Sequence, residues 1–116
     1  MIYIYAMNKE FIDKWHSQVK KGTLSFIVLI VLDKNELYGY DLIEKIRNQT
    51  SIEIAEGTLY PLVNRLKTDK LLDSKWVEQE TGIPRKYYFL TKTGKQTLEE
   101  MKVQWKNLQK LITKLM

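Results

Sequence analysis

The chain contains no cysteine, which removes disulfide staples, thiolate metal sites and thiol nucleophiles together. It has a single histidine, His16, with no second imidazole to share an ion, so no metal site is expected and His16 reads as a surface or edge residue. No serine, histidine and acid arrangement occurs, and no glycine-rich phosphate loop. Neither catalytic residues nor a cofactor is therefore expected, and the chain does not read as an enzyme. Long apolar runs are also missing. The longest, Leu24 to Leu32, is broken by Ser25 and has about half the length that a membrane span requires. It reads as a buried core helix, with no membrane partner. Met1 to Ala6 is apolar but lacks the basic start and cleavage site of a secretory signal. The expectation is a loosely attached extension, with Met7 as an alternative start, on a protein that stays in the cytoplasm.

What is present suffices for one compact domain: 116 residues, 44% of them hydrophobic, with no low-complexity stretch. The formal net charge is +5 and the pI near 9.3. Such a balance suits a partner made of phosphates, because cationic side chains displace the counterions condensed on a nucleic acid.

Periodicity orders the elements. From Lys9 to Lys20, Phe11, Ile12, Trp15 and Val19 recur at helical spacing on one face. Gly22 and Thr23 then look like a start signal for a second helix through Leu32, and Asp33 to Glu36 like the turn that ends it. Tyr38 to Asp41 opens a further helix, with Tyr40, Ile43 and Ile46 spaced to face a core, and Asn48 to Ser51 closes it. After Ile52 to Ala55, the segment from Glu56 carries Leu62, Val63 and Leu66 at helical spacing, with Pro61 placed near its beginning, where a missing amide costs little. Leu71 to Gln79 and Arg85 to Leu90 read as two strands joined by the turn Glu80 to Pro84. Thr91 caps a final helix, in which Leu98, Met101, Trp105, Leu108, Ile112 and Leu115 form a heptad seam. So many seam residues are hard to bury within a small domain, which implies a partner helix from a second copy of the chain. Lys106, Lys110 and Lys114 lie off that seam, near the helix end where the dipole favours them.

The expected class is mainly α with a small β-hairpin. The element order is that of a winged helix-turn-helix, with dimerisation helices at both ends. The divisions are residues 1–20 as amino-terminal extension and helix, 21–91 as the DNA-binding domain and 92–116 as the carboxy-terminal dimerisation helix.

Three blocks then become specific. Tyr38-Gly39-Tyr40-Asp41-Leu42, the run Gly57 to Leu66 (Gly-Thr-Leu-Tyr-Pro-Leu-Val-Asn-Arg-Leu) and the run Pro84 to Thr91 (Pro-Arg-Lys-Tyr-Tyr-Phe-Leu-Thr) followed by Gly94 resemble the PadR family of bacterial transcriptional regulators, over about Lys21 to Leu115. The single short final helix looks like the small-protein branch of that family, in which it pairs with the amino-terminal helix of the other subunit. The resemblance implies an operator-binding repressor, often one answering to a small aromatic or drug-like effector. Trp105 matches by position a tryptophan that some multidrug-responsive members place at the dimer centre.

With that reading, Thr58, Tyr60, Asn64, Arg65 and Lys67 are the candidates for contact with double-stranded operator DNA on the reading helix, since hydroxyls and cations suit phosphates and Asn or Arg reads base edges. Glu56 and Asp69 favour the alternative of a merely solvated face. On the wing, Arg85 and Lys86 are candidates for backbone or minor-groove contact. The alternative for Arg85 is an ion pair with Glu78 or Glu80. Candidate effector residues are Trp105, Trp15, Phe11 and Leu108, all equally natural as dimer contacts. The dimer seam comprises Leu98, Met101, Trp105, Leu108, Ile112 and Leu115. The rival functions are a winged helix used for protein contact and a general DNA-coating protein without an operator.

Overall fold

A computed structural model describes residues 8–116 in full and residues 2–7 by their backbone alone, so of the expected extension Met1 to Ala6 only the backbone of Ile2 to Ala6 is described. The first helix, α1, runs unbroken over Ile2–Lys34, where the sequence suggested two helices parted at Gly22-Thr23. The start signal fails for a local reason. The Thr23 hydroxyl donates back to the Val19 carbonyl at 2.7 Å, one turn earlier in the same helix, instead of capping a new one. A lone glycine costs a helix only about 1 kcal/mol, which is too little to break one anchored by the apolar run that follows.

A two-residue strand, β1 (Leu37–Tyr38), precedes α2 (Gly39–Thr50), so the Tyr38 segment opens with a strand rather than with the helix. Gly39, Leu42 and Ile46 are the buried face of α2. Tyr40, expected in the core, is exposed: it lies one residue, about 100° of helical turn, past that face and stacks on Tyr38, ring centroids 6.4 Å apart. Ser51 ends the helix in the left-handed conformation, and its amide returns to the Arg47 carbonyl.

Helix α3 spans Glu56–Thr68. Pro61 is therefore its sixth residue, beyond the first turn where its missing amide would have cost nothing. Strands β2 (Leu72–Val77) and β3 (Arg85–Leu90) form the wing, and the antiparallel sheet has the order β1-β3-β2, three strands where a two-stranded hairpin was expected. Helix α4 (Lys92–Leu115) begins at Thr91, whose hydroxyl accepts from the Gly94 amide at 2.9 Å and donates to the Lys70 carbonyl at 2.7 Å. Gly94 is required there, because a Cβ on it would stand 1.8 Å from the Leu71 carbonyl oxygen.

The core forms where the second half of α1, α2, α3, the sheet and the start of α4 meet, around Val28, Leu29, Leu42, Ile46, Leu59, Val63, Leu72 and Leu98. The two long helices run past it. The radius of gyration is 17.3 Å, against about 13 Å for a compact domain of this length. Among the described residues no helix is long and apolar enough to cross a membrane, and no three His, Asp or Glu side chains gather as metal ligands would.

Candidate nucleic-acid interface

Helix α3 divides cleanly. Leu59, Leu62, Val63 and Leu66 are buried, while Thr58, Pro61, Asn64, Arg65 and Thr68 are exposed. Three- and four-residue spacing puts the exposed set on one side of the helix, away from the core. Of the expected DNA contacts, Thr58, Asn64 and Arg65 are thus brought together on this open face. Glu56 stands in the first turn, where it suits the helix dipole, and leaves the centre of the face to Asn64 and Arg65.

Tyr60 and Lys67 are placed differently. The Tyr60 ring is turned toward the first residue of α2: a Cβ on Gly39 would sit 2.5 Å from its hydroxyl oxygen. Tyr60 therefore fixes the contact between α2 and α3 while leaving part of its ring exposed. Lys67 donates to the Ser74 hydroxyl at 2.8 Å and lies 3.9 Å from the Asp73 carboxylate, so it ties the last turn of α3 to β2.

The wing cations point apart, as neighbours on a strand must. Arg85 pairs with neither Glu78 nor Glu80 among the described residues; its guanidinium lies over the Tyr38 ring, 4.4 Å from the centroid. Lys86 lies over Trp76, its Nζ 5.9 Å from the ring centroid. Gly82, with φ of +85°, makes the turn at the wing tip, where only glycine adopts this backbone without strain. Desolvation first, and then the neighbouring Asp41 carboxylate, hold the Tyr38 phenol above its ordinary pKa beside Arg85. Trp76 is the surface residue that sequence reasoning passed over. It lies within the Leu71 to Gln79 segment expected as a strand, and its spacing of two residues from Ser74 and four from Leu72 marks the face it occupies.

At the other end of the molecule, α1 and α4 enclose an open groove of about 950 Å³ lined by Val19, Thr23, Phe26, Met101, Trp105 and Leu108. Phe26 and Trp105 meet with centroids 5.9 Å apart. The four expected effector residues are therefore not all assembled within one chain. Trp105 and Leu108 line the groove; Phe11 and Trp15, 69% and 54% exposed, lie beyond its end on the α1 stripe that includes Val19. The expected seam also divides. Leu98 is fully buried in the chain's own core and Met101 packs against it, whereas Trp105, Leu108, Ile112 and Leu115 are exposed. Heptad spacing shows which side of a helix is apolar, but not whether its partner belongs to the same chain.

Comparison with known proteins gives a consistent result. Residues 28–100 match the model of the PadR-like transcriptional regulator family. The fold is similar to that of a PadR family transcriptional regulator from Eggerthella lenta, with a TM-score of 0.86 and 34% identity over 95% of this chain and 96% of that one. It is similar also to a PadR-like transcription factor from Bacteroides fragilis, with a TM-score of 0.75 and 40% identity over 89% of this chain and 99% of that one. An uncharacterised protein of Lysinibacillus sphaericus is 32% identical over 83% of this chain and 90% of its own length.

Proposed function

We propose, from the premise that this chain belongs to the PadR-like family of transcriptional regulators, that it is a sequence-specific repressor acting as a homodimer on a partly palindromic operator. The family consists of DNA-binding regulators rather than enzymes. The observation that carries the finer reading is the open face of α3: Thr58 for a phosphate, and Asn64 and Arg65 for base edges, beside a wing that carries Lys86. A second copy of the chain covers the apolar α1 stripe from Phe11 to Val19 and the exposed half of the α4 seam, which one chain leaves in water. Residues 21–91 then serve as the DNA-reading unit, and the flanking segments 1–20 and 92–116 serve as the dimer. Two α3 helices in successive major grooves repress by occlusion.

Selection of bound fragments from a genomic DNA pool, at physiological salt with excess competitor, tests this. A two-fold symmetric motif is the expected outcome, and no enrichment would favour a protein-contact or DNA-coating role. The groove between α1 and α4 supports a second element, response to a flat aromatic effector stacked on Trp105. Such an effector acts only by preferring one spacing of the reading heads over another. Trp105→Ala should abolish the response; unchanged release of DNA by the effector would rule this site out.

A further inference from the structure

The α3 face and the effector groove leave Trp76 without a task, although it is 68% exposed near the outer end of β2. Its surroundings say which way it looks. Side chains alternate along a strand, so Leu72, Ser74 and Trp76 share one face of β2, opposite Leu90, Tyr88 and Lys86 of β3. Leu72, Leu90 and Tyr88 are buried in the core, and Ser74 receives the hydrogen bond of Lys67 from the last turn of α3. This face of the sheet is therefore the one turned toward the reading helix. Past the edge of the core it ends in Trp76 and Lys86, with the ammonium over the indole. Arg85 belongs to the opposite face with Val77, over Tyr38. The carboxylates of Glu78 and Glu80 lie in the loop beyond the last paired residues, Val77 and Arg85.

We propose that Trp76 and Lys86 together form a contact site for the sugar-phosphate backbone of DNA on the α3-facing side of the wing. The indole restrains the lysine so that its charge meets a phosphate with less ordering on binding, and its own ring packs on the adjoining sugars. Trp76 presents an indole N–H as a further donor to phosphate oxygen. The site rests on the DNA-binding reading above but not on operator specificity, because every duplex offers the same backbone.

The full chain, labelled with 5-fluorotryptophan, gives fluorine resonances for Trp15, Trp76 and Trp105, and the Trp76 signal is identified by its loss in Trp76→Phe. A mixed-sequence duplex of about 30 base pairs, long enough for two half-sites about ten apart, is titrated in at low salt. The Trp76 resonance should shift and become shielded from a soluble paramagnetic agent. Trp76→Ala should weaken binding about two- to five-fold, the scale of one exposed cation–π contact. Lys86→Ala should in addition reduce the slope of affinity against salt by about one phosphate, and the two losses should not add. Retained binding of the duplex with an unchanged Trp76 resonance would overturn the wing site and leave the DNA-binding reading intact. No binding of the duplex even at low salt would overturn both. Binding with the Trp76 shift, alongside a failed operator search, would support the wing site while removing the repressor.

Discussion

Leu98 and Leu108 stand about three turns apart on one helix and belong to one apolar spacing, yet truncating the second should depend on protein concentration and truncating the first should not. Leu98 is fully buried among side chains of its own chain, and Leu108 is 50% exposed. Truncating Leu98 to Ala leaves a void that the surrounding helices fill poorly, at a cost of about 3–5 kcal/mol per chain. For a domain of this size that lowers the melting temperature by more than about 10 °C. Because the lost contacts lie within one chain, the difference between wild type and Leu98→Ala should be the same at every protein concentration. Leu108→Ala removes only a half-covered side chain from the single chain and should cost a monomer less than about 1 kcal/mol. If a second copy covers it, the cost appears where the dimer is populated and fades as it dissociates. Hundred-fold dilution takes about 2.7 kcal/mol from the apparent stability of a two-chain native state. Urea unfolding followed by circular dichroism at two concentrations reads both quantities. A Leu98→Ala cost below about 1 kcal/mol would refute the assignment of that residue to the core. A wild-type midpoint independent of concentration would refute the covering copy.

Gly94→Ala should be among the most damaging single substitutions, since its Cβ would stand 1.8 Å from the Leu71 carbonyl oxygen and α4 must move to admit it; loss of the cooperative melting transition, or a drop of about 3 kcal/mol or more, is the expected reading. Gly39→Ala should push Tyr60 aside, and because that shifts α3 against α2, DNA affinity should fall more than thermal stability, as measured by anisotropy and melting on the same preparation. The Tyr88 phenol has its pKa raised, first by burial and then by the neighbouring Tyr60 phenol. Its stabilising contribution is thus complete below the ordinary phenol value of about 10 and is lost as pH rises through the higher folded value, so stability measured above pH 10 should fall less steeply in Tyr88→Phe.

Much of α3 and the wing was legible in the sequence because each boundary carries its own chemistry: Thr91 as a cap, Gly82 at the wing turn, and α3 with its apolar residues on one side only. The misplaced features have physical causes. Gly22-Thr23 offers the residues of a helix start, but a threonine hydroxyl is equally satisfied by the carbonyl a turn behind it, and nothing local distinguishes the outcomes. Strand β1 is two residues long, too short for any periodicity, and exists because β3 has a free edge to pair with. Leu98 and Leu108 share a heptad seam, while the tertiary fold covers only Leu98. Tyr60 and Lys67 are of types that suit DNA, yet their positions beside Gly39 and Ser74 depend on how α3 packs, which spacing along α3 does not encode.

The central claim, that the open face of α3 reads operator sequence, is tested most directly with the double variant Asn64→Ala, Arg65→Ala. Binding of a selected operator fragment and of a scrambled duplex would be measured by anisotropy in the same salt. Both side chains are exposed, so the variant should fold and melt as wild type does. Its preference for the operator should collapse by more than about ten-fold, each lost base contact being worth about 1–3 kcal/mol, while it still binds the scrambled duplex. An operator preference equal to that of wild type would contradict the account.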